Sequence, residues 1–299
     1  MELHDLKTFH YIATEQSFSK AAQELFISQP AASASMKKLE FDMGCKLFER
    51  AGKSIRLTSA GQILYGYTTR IFEIVHDIHA DIEKQSGEIK GNLTIATSDA
   101  AGCFLLPQII SSFTAKYENV DIQLNVGSVS IALRLVEEGR ADFAIIGGAL
   151  DDKSHVQLCT EKLADDRVVL IGSNELPLIE EDSLGLNKLG FIMYEKGTAL
   201  SAAALGIIQT ISHSGKHRLS MNSVAAIVQA VKANAGIAAV PLSAVCEDIK
   251  SGRVKHLYPA EINIEYPYYI VCLKSRSQGL AEKTLSEFIK TRMATLLSI

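Results

Sequence analysis

The sequence predicts a multidomain chain: a small all-α N-terminal part with a winged helix-turn-helix pattern, one long helix, and a C-terminal α/β part built from two similar lobes. Three observations carry this. Two short helices around a tight turn, with helical apolar spacing, account for the beginning of the chain. From Ala60 to about Gln85 there is no proline, and one narrow apolar stripe runs along the segment. Beyond residue 91, short apolar runs alternate with helical stretches, as in parallel α/β sheets. The 299 residues allow two or three domains, and 47% hydrophobic against 21% charged residues is enough to fill their cores.

The N-terminal elements follow in order. Leu3, Leu6, Phe9, Tyr11, Ile12 and Ala13 recur at helical spacing and predict a helix over Leu3–Glu15. Gln16-Ser17 breaks it. Ser19 is the expected N-cap of a second helix, Lys20–Leu25, and Phe26-Ile27-Ser28 is the turn. Ser28 caps a third helix whose first turn holds Pro30, where a missing N–H does no harm. Ala32, Met36, Leu39 and Met43 form its expected core face. The opposite face carries Gln29, Pro30, Ser33, Ala34, Lys37 and Lys38. A helix entering a DNA major groove about 12 Å wide needs such small side chains, because they let its backbone approach the base edges. Ser28, Gln29 and Ser33 can hydrogen-bond bases or phosphates. The plainer alternative is an Ala/Ser-rich helix packed on another protein helix. The next segment weighs against it: "CKLFERAGKSIRLTSAG" reads as a hairpin around "RAGKS". Ser35–Gly61 holds six Lys/Arg against three acids, a net +3, while the rest of the chain nets −7.

At this point the sequence resembles the LysR-type transcriptional regulators. The resemblance rests on Leu6 and Phe9; Ser17-Phe18-Ser19 with Ala21-Ala22 and Leu25; Ser28-Gln29-Pro30-Ala31 with Ser33; Leu39-Glu40; Gly44; Leu47-Phe48 with Arg50; and Leu57-Thr58 with Ala60-Gly61. It implies that Gln29, Pro30 and Ser33 lie at double-stranded DNA, and that Arg50, Lys53, Arg56 and Thr58 serve the wing and the phosphate backbone. Relatives often carry a long polar residue where this chain has Ala34, so shape readout gains weight here.

Leu64, Tyr67, Ile71, Ile74 and Ile78 are spaced three, four, three, four, which is a heptad seam. About 26 residues at 1.5 Å each give a helix of roughly 39 Å. Such a helix needs a partner, and the resemblance implies a homodimer, or a tetramer of two such pairs. Gln85–Gly91 reads as a hinge. The expected boundaries are 1–59 for the DNA-binding domain, 60–87 for the dimerising helix and 91–299 for the last domain.

In that last domain "NLTIATS", "DIQLNVG" and "ADFAIIG" suit buried strands. Further strands are expected at Val168–Ile171, Gly190–Met193, Ile237–Val240 and Tyr268–Leu273. Helices are expected at Gly102–Tyr117, Val129–Glu138, Ala199–Ser212, Ser223–Asn234 and Leu280–Leu297. "SIALRLVEEGRADFAIIG" and "NSVAAIVQAVKANAGIAAVP" echo each other, each running from polar cap through apolar helix and turn to apolar strand. The resemblance implies a two-lobed, periplasmic-binding-protein-like (type 2) effector domain, with lobe I near 91–162 and 267–299 and lobe II near 163–266. In such folds ligands sit at strand C-termini and helix N-termini. The candidates are Thr97, Ser98, Asp99, Gly127, Ser128, Val129, Ile146 and Gly147 from one lobe, and Glu195, Thr198, Asn222 and Ser223 from the other. Each is also an ordinary cap or turn residue. Hydroxyls and helix N-termini suit a small oxyanion or carboxylate. Asp99 or Glu195 suits the ammonium group of an amino acid, and the choice stays open.

Other classes find little support. There is no G-x-S-x-G, G-x-x-x-x-G-K-[ST], H-E-x-x-H or post-strand G-x-G-x-x-G. The odd count of five cysteines, without C-x-x-C or Cys/His spacing, predicts buried reduced thiols rather than a disulfide framework or zinc. Cys103 lies near the expected cleft but offers no resolving partner in sequence. His213, Lys216, His217 and Arg218 form a basic patch, read as a solvated turn or, alternatively, as a place of tetramer contact or anion entry. The N-terminus lacks the layout of a signal peptide and no apolar run approaches the roughly 20 residues of a membrane span. The expectation is a cytoplasmic regulator without metal or resident cofactor, acting on RNA polymerase.

Overall fold

The computed structural model describes residues 1–51, 54–148, 155–176, 190–211, 216–257 and 264–298. The chain divides into two compact units, Met1–Ile82 and Glu83–Ile299.

The first unit holds α1 (Leu3–Glu15), α2 (Phe18–Glu24), α3 (Gln29–Met43), a hairpin of β1 (Phe48–Ala51) and β2 (Ser54–Leu57), and most of α4 (Ser59–Ser86). Phe9, Ile12, Ala21, Ala32, Leu39 and Leu47 are its fully buried centre. Two sequence expectations need correction. The second helix is capped by Ser17, whose Oγ accepts from the Lys20 N–H at 3.3 Å, so it starts earlier than Ser19 would allow. Met43 is 42% exposed: it is the last residue of α3, already past the part of the helix that faces the core. Glu40 fastens the hairpin, because its carboxylate accepts from the Leu47 N–H at 2.9 Å and pairs with Lys46 at 2.7 Å. Helix α4 can pass close to that strand only because position 61 is glycine. A Cβ there would stand 2.2 Å from the Leu47 carbonyl oxygen.

The second unit is built on a mixed sheet, not a parallel one. Parallel pairing is confined to two groups. β3 (Gly91–Ser98) lies between β4 (Val120–Gly127) and β5 (Phe143–Gly147). β7 (Gly190–Tyr194) pairs with β8 (Lys216–Met221) and touches Ile237 just ahead of β9 (Ala238–Pro241). These groups match the two echoing sequence stretches, because α7 (Val129–Glu137) leads to β5 and α9 (Val224–Lys232) leads to β9. Two long antiparallel strands join the groups: β6 (Leu158–Ser173) and β11 (Ile264–Leu273). β10 (Val254–Leu257) and β9 pair with the far end of β6. The β6–β11 ladder is broken by a bulge between Tyr268 and Tyr269, where Leu163 has no residue opposite it.

The helix expected over Gly102–Tyr117 is two helices, α5 (Asp99–Phe104) and α6 (Leu106–Thr114). Pro107 has no N–H to donate to a preceding carbonyl, so the first helix cannot run through. α8 (Ala199–Ile211), α10 (Cys246–Lys250) and α11 (Leu280–Leu297) complete the unit. Phe113, Phe143, Ile95, Ile145, Val168 and Leu285 are fully buried in its core. None of the five cysteines is fully buried: Cys45 and Cys103 are exposed and the other three half-buried. A small apolar side chain loses little by standing at a rim, so the buried-thiol expectation overstates its pull.

Candidate functional site

The N-terminal unit presents one candidate surface. Ser28 accepts from the Ala31 N–H at 3.3 Å and so caps α3. Gln29 Nε2 donates to Ser33 Oγ at 3.2 Å across one turn. Ser28, Gln29, Pro30, Ala34, Lys37 and Lys38 are exposed and Ser33 half-buried, so the small polar face is open to solvent as expected. Its two lysines are not equivalent. Lys38 is drawn back onto α1, 2.6 Å from Glu2 and 3.4 Å from Asp5. Asp5, 3% exposed, also accepts from Ser35 Oγ at 2.7 Å. Burial works to raise the Asp5 pKa, but the bonds from Ser35 and Lys38 outweigh it and hold the carboxyl below its ordinary value. Sequence reasoning missed this pair; the signal was an acid on the apolar side of the first helix.

Arg50 stands opposite Ile55 and Arg56 opposite Glu49 in the hairpin ladder, so the two exposed arginines lie on opposite faces of it. Lys53, the third wing cation, lies outside the described residues. Thr58 serves the fold: its hydroxyl donates to the Lys46 carbonyl at 2.7 Å and accepts from the Gly61 N–H at 3.0 Å, capping α4.

The seam on α4 divides into two rows. Leu64, at 7% exposed, is part of the N-terminal core, and Ile71 packs against it, so these two positions leave the predicted seam. Among the described residues the core meets α4 at Ala60, Leu64, Tyr65 and Ile71. Tyr67, Ile74 and Ile78 stay exposed at 53–60%, and Ile63 and Ile82 join them at 65% and 62%.

The second candidate site lies where the parallel strands of the second unit end. Thr97 Oγ1, fully buried, donates to the Ile145 carbonyl at 2.8 Å. Ser98 Oγ accepts from the Gly147 N–H at 3.2 Å. These bonds tie the end of β3 to the end of β5 and bring Thr97, Ser98, Ile146 and Gly147 together. Gly127 pairs with Ser98 in the adjacent strand, and Ser128 caps α7 through the Ile131 N–H at 3.3 Å. Val129 is the first residue of that helix. Gly147 permits close approach of Tyr266, since a Cβ there would lie 2.4 Å from the ring.

Asp99 reaches over to the other strand group. One oxygen accepts from Ser223 Oγ at 3.1 Å and the other from the Val224 N–H, at the N-terminus of α9. This contact joins the two sides of the predicted set. Thr198 and Ser201 cap α8 reciprocally at 3.2 and 3.0 Å, a capping box that occupies the Thr198 hydroxyl. Glu195 and Asn222 are exposed. Tyr194 was not foreseen. It is 6% exposed, and its hydroxyl has no hydrogen-bond partner among the described residues. Burial first, and the charge of Asp99 next, push its pKa far above the ordinary phenol value, so the hydroxyl stays neutral and can donate or accept. The missed signal was a tyrosine ending an otherwise apolar strand, "GFIMY". Cys103 Sγ lies 3.7 Å from Asp99, and burial followed by that charge raises its pKa, keeping the thiol protonated. His213 lies outside the described residues. Among the described residues no group of three His, Cys, Asp or Glu could hold a metal ion, and no helix is long and apolar enough to cross a membrane.

Residues 3–62 match the family model described as bacterial regulatory helix-turn-helix protein, lysR family, and residues 86–294 match the LysR substrate binding domain. A probable RuBisCO transcriptional regulator of Nostoc sp. is 31% identical over 98% of this chain and 89% of its own length. The RuBisCO operon transcriptional regulator of Allochromatium vinosum is 25% identical over 99% of this chain and 98% of its own. Among solved structures, a full-length OxyR variant from Pseudomonas aeruginosa matches with a TM-score of 0.72 at 20% identity, covering 99% of this chain and 96% of that one. Full-length CbnR in complex with its target DNA matches with a TM-score of 0.62 at 17% identity, covering 98% of this chain and all of the other.

Proposed function

The chain belongs to the LysR family of transcriptional regulators, and from that membership we propose how its two units divide the work. It is a DNA-binding regulator and not an enzyme. Gln29, Ser33 and Ala34 read the major groove, with Ser28 and Pro30 at the helix start and Lys37 on phosphate. Arg50, Lys53 and Arg56 meet the flanking backbone from the hairpin. The exposed row of Tyr67, Ile74 and Ile78, with Ile63 and Ile82, pairs with the same row of a second copy, and two dimers make a tetramer. The complex acts in the cytoplasm and reports to RNA polymerase.

The regulatory input is a small molecule between the two lobes, near 91–162 with 267–299 and near 163–266. The observation that carries this is the Asp99 bridge to Ser223 and Val224, together with the Tyr194 hydroxyl, which has no partner among the described residues and lies close enough to feel the Asp99 charge. A helix N-terminus attracts anions. Here one is already supplied by the chain, so a second carboxylate meets a filled and negatively charged place. A ligand with an ammonium group gains from Asp99 and from Tyr194 as acceptor, which favours an amino acid or a related amine. The bulge at Leu163 is the soft point about which the lobes shift when it binds. A second reading, a small oxyanion or carboxylate that displaces Asp99 from α9, is favoured by Ser223 itself, which would remain as a donor.

A dye-based melting screen of amino acids, amines, carboxylates and oxyanions separates the two. A ligand at about 100 times its Kd stabilises by roughly 2.7 kcal/mol, a shift of several degrees. The first reading expects shifts with amines that Asp99→Asn abolishes. The second expects anion shifts that Asp99→Asn enlarges. Footprinting with and without the active compound then tests the coupling to DNA. An unchanged footprint and affinity would sink the effector role.

A further inference from the structure

Cys159 and Cys272 are 113 residues apart in sequence and directly opposite each other in the β6–β11 ladder. Their sulfurs are 2.8 Å apart, and Cys159 Sγ also lies 3.4 Å from the Cys272 carbonyl. Directly opposed residues of an antiparallel pair have Cα atoms about 4.5 or 5.5 Å apart, and both values fall within the roughly 4.4–6.8 Å that a disulfide spans. Both thiols are half-buried, so a small reagent can reach them. We propose that Cys159 and Cys272 are a redox-responsive dithiol, closed to an intrachain disulfide by exchange with the disulfide of a small thiol.

The chemistry balances without any group held by the protein. Burial, and next the contact with Cys159, push the Cys272 thiol up to about 12. The two sulfurs touch, so the exchange can open at either one. At Cys159 the thiolate attacks one sulfur of the small disulfide, and a thiol leaves. The Cys272 sulfur then attacks Cys159 in the mixed disulfide, and the second small thiol leaves. The two protons of the protein thiols end on the two small thiols, and two electrons pass from the protein to the reagent. Of the buried ion pair nearby, Glu282 pushes the Cys272 thiol further up and Arg276 offsets this in part.

The consequence follows from position. Cys159 is four residues from Leu163, the bulge residue, and the crosslink fastens β6 to β11 beside it. It also closes a loop containing every described residue of β7, α8, β8, α9, β9, α10 and β10. The other three cysteines have no such neighbour among the described residues, and Cys103 is held protonated beside Asp99.

The test uses the full chain, reduced and then incubated with oxidised glutathione, alkylated with a maleimide and mapped by non-reducing mass spectrometry. The expected result is the loss of two alkylatable thiols of five, with Cys159 and Cys272 peptides joined within one chain and released by dithiothreitol. Cys272→Ser traps glutathione on Cys159, because the resolving sulfur is gone. The closed form melts on the order of 10 °C higher in the second unit. Five alkylatable thiols after incubation would overturn the proposal. So would closure between chains, or a mapped crosslink that leaves melting unchanged. Oxidation of Cys45, Cys103 or Cys246 ahead of the pair would do the same.

Discussion

Helices α3 and α9 begin with the same local device and end in opposite situations. Each is capped by a serine, Ser28 or Ser223, that accepts from the third following N–H at 3.3 or 3.4 Å. Each therefore offers the same partial positive end to an anion. At α3 that end and the adjoining face are open to solvent. At α9 it is filled by a carboxylate from 124 residues earlier in the chain. The local sequence makes the anion site. A single distant acid decides whether the anion is foreign, as a DNA phosphate is, or part of the protein.

The largest effect should come from emptying the filled end. Asp99→Ala removes two charge-assisted hydrogen bonds and leaves the Val224 N–H and the Ser223 hydroxyl to water. Such bonds contribute about 1.5–3 kcal/mol each where they are shielded. Since Asp99 is half-buried, we expect about 2–3 kcal/mol and a fall of roughly 5–10 °C in the melting of the second unit. The first unit should melt unchanged. A variant that melts like the parent would mean that hydration replaces the bridge at no cost.

At the open end the prediction has the opposite pattern. Gln29→Ala and Ser33→Ala should each weaken operator binding by about 1–2 kcal/mol, roughly tenfold, by loss of base contacts. Their only hydrogen bond to each other is exposed, so melting should shift by no more than about 0.5 kcal/mol. Titration of labelled operator beside a melting curve checks both. A loss of stability equal to the loss of binding would place these residues in the fold rather than at DNA.

Buried and half-buried carboxylates of the two units should also respond oppositely to acid. In the first, Asp5 and Glu40 have lowered pKa values. Burial opposes the shift in both; bonds from Ser35 and Lys38 at Asp5, and from Lys46 and the Leu47 and Phe48 amides at Glu40, outweigh it. A lowered carboxylate contributes stability above its unfolded value, 3.8 or 4.5, that is lost as pH falls through the folded value. In the second unit Asp166, 4% exposed, is raised, foremost by burial and against bonds from Ser243 and the Arg167 amide. It costs stability above its folded value and that cost is relieved on acidification. In melting of the full chain from pH 6 to pH 3, Glu40→Gln should flatten the fall of the first transition. An unchanged slope in that variant would contradict the assignment.

How much of this was legible depends on the range of the interaction. Periodicity and cap chemistry are local, so α1, the Ser28 cap and the open face of α3 are readable in the sequence alone. The strand-to-helix turns at Thr97-Ser98-Asp99 and Ser223 were equally local and equally visible. That Asp99 meets Ser223, that Cys159 faces Cys272, and that Lys38 is spent on Asp5 are contacts across 124, 113 and 33 residues, which no window of sequence contains. The mixed character of the sheet was hidden for a related reason. β6 carries Glu161, Lys162, Asp165, Asp166 and Arg167 in its middle, and so reads as a loop until β11 and β10 are found beside it.

The smallest effect separates two neighbouring lysines. Composition counts Lys37 and Lys38 as equal parts of the positive surface. The structure leaves Lys37 exposed and folds Lys38 onto Glu2 and Asp5. Releasing one phosphate-bound cation lowers the slope of log affinity against log salt by about 1. Arg56→Ala and Lys37→Ala should each show that change. Lys38→Ala should leave the slope nearly where it was, because its charge is already compensated within the first unit. Its visible result should be at Asp5, which loses a partner and shifts toward its ordinary value, so that the acid sensitivity of the first transition weakens. Measuring operator affinity over a fourfold range of salt decides the matter. A full unit of slope lost with Lys38→Ala would mean that DNA pulls the lysine off its acids. The acids would then act as a built-in competitor for phosphate at the edge of the recognition helix, and charge-neutral Glu2→Gln should tighten binding.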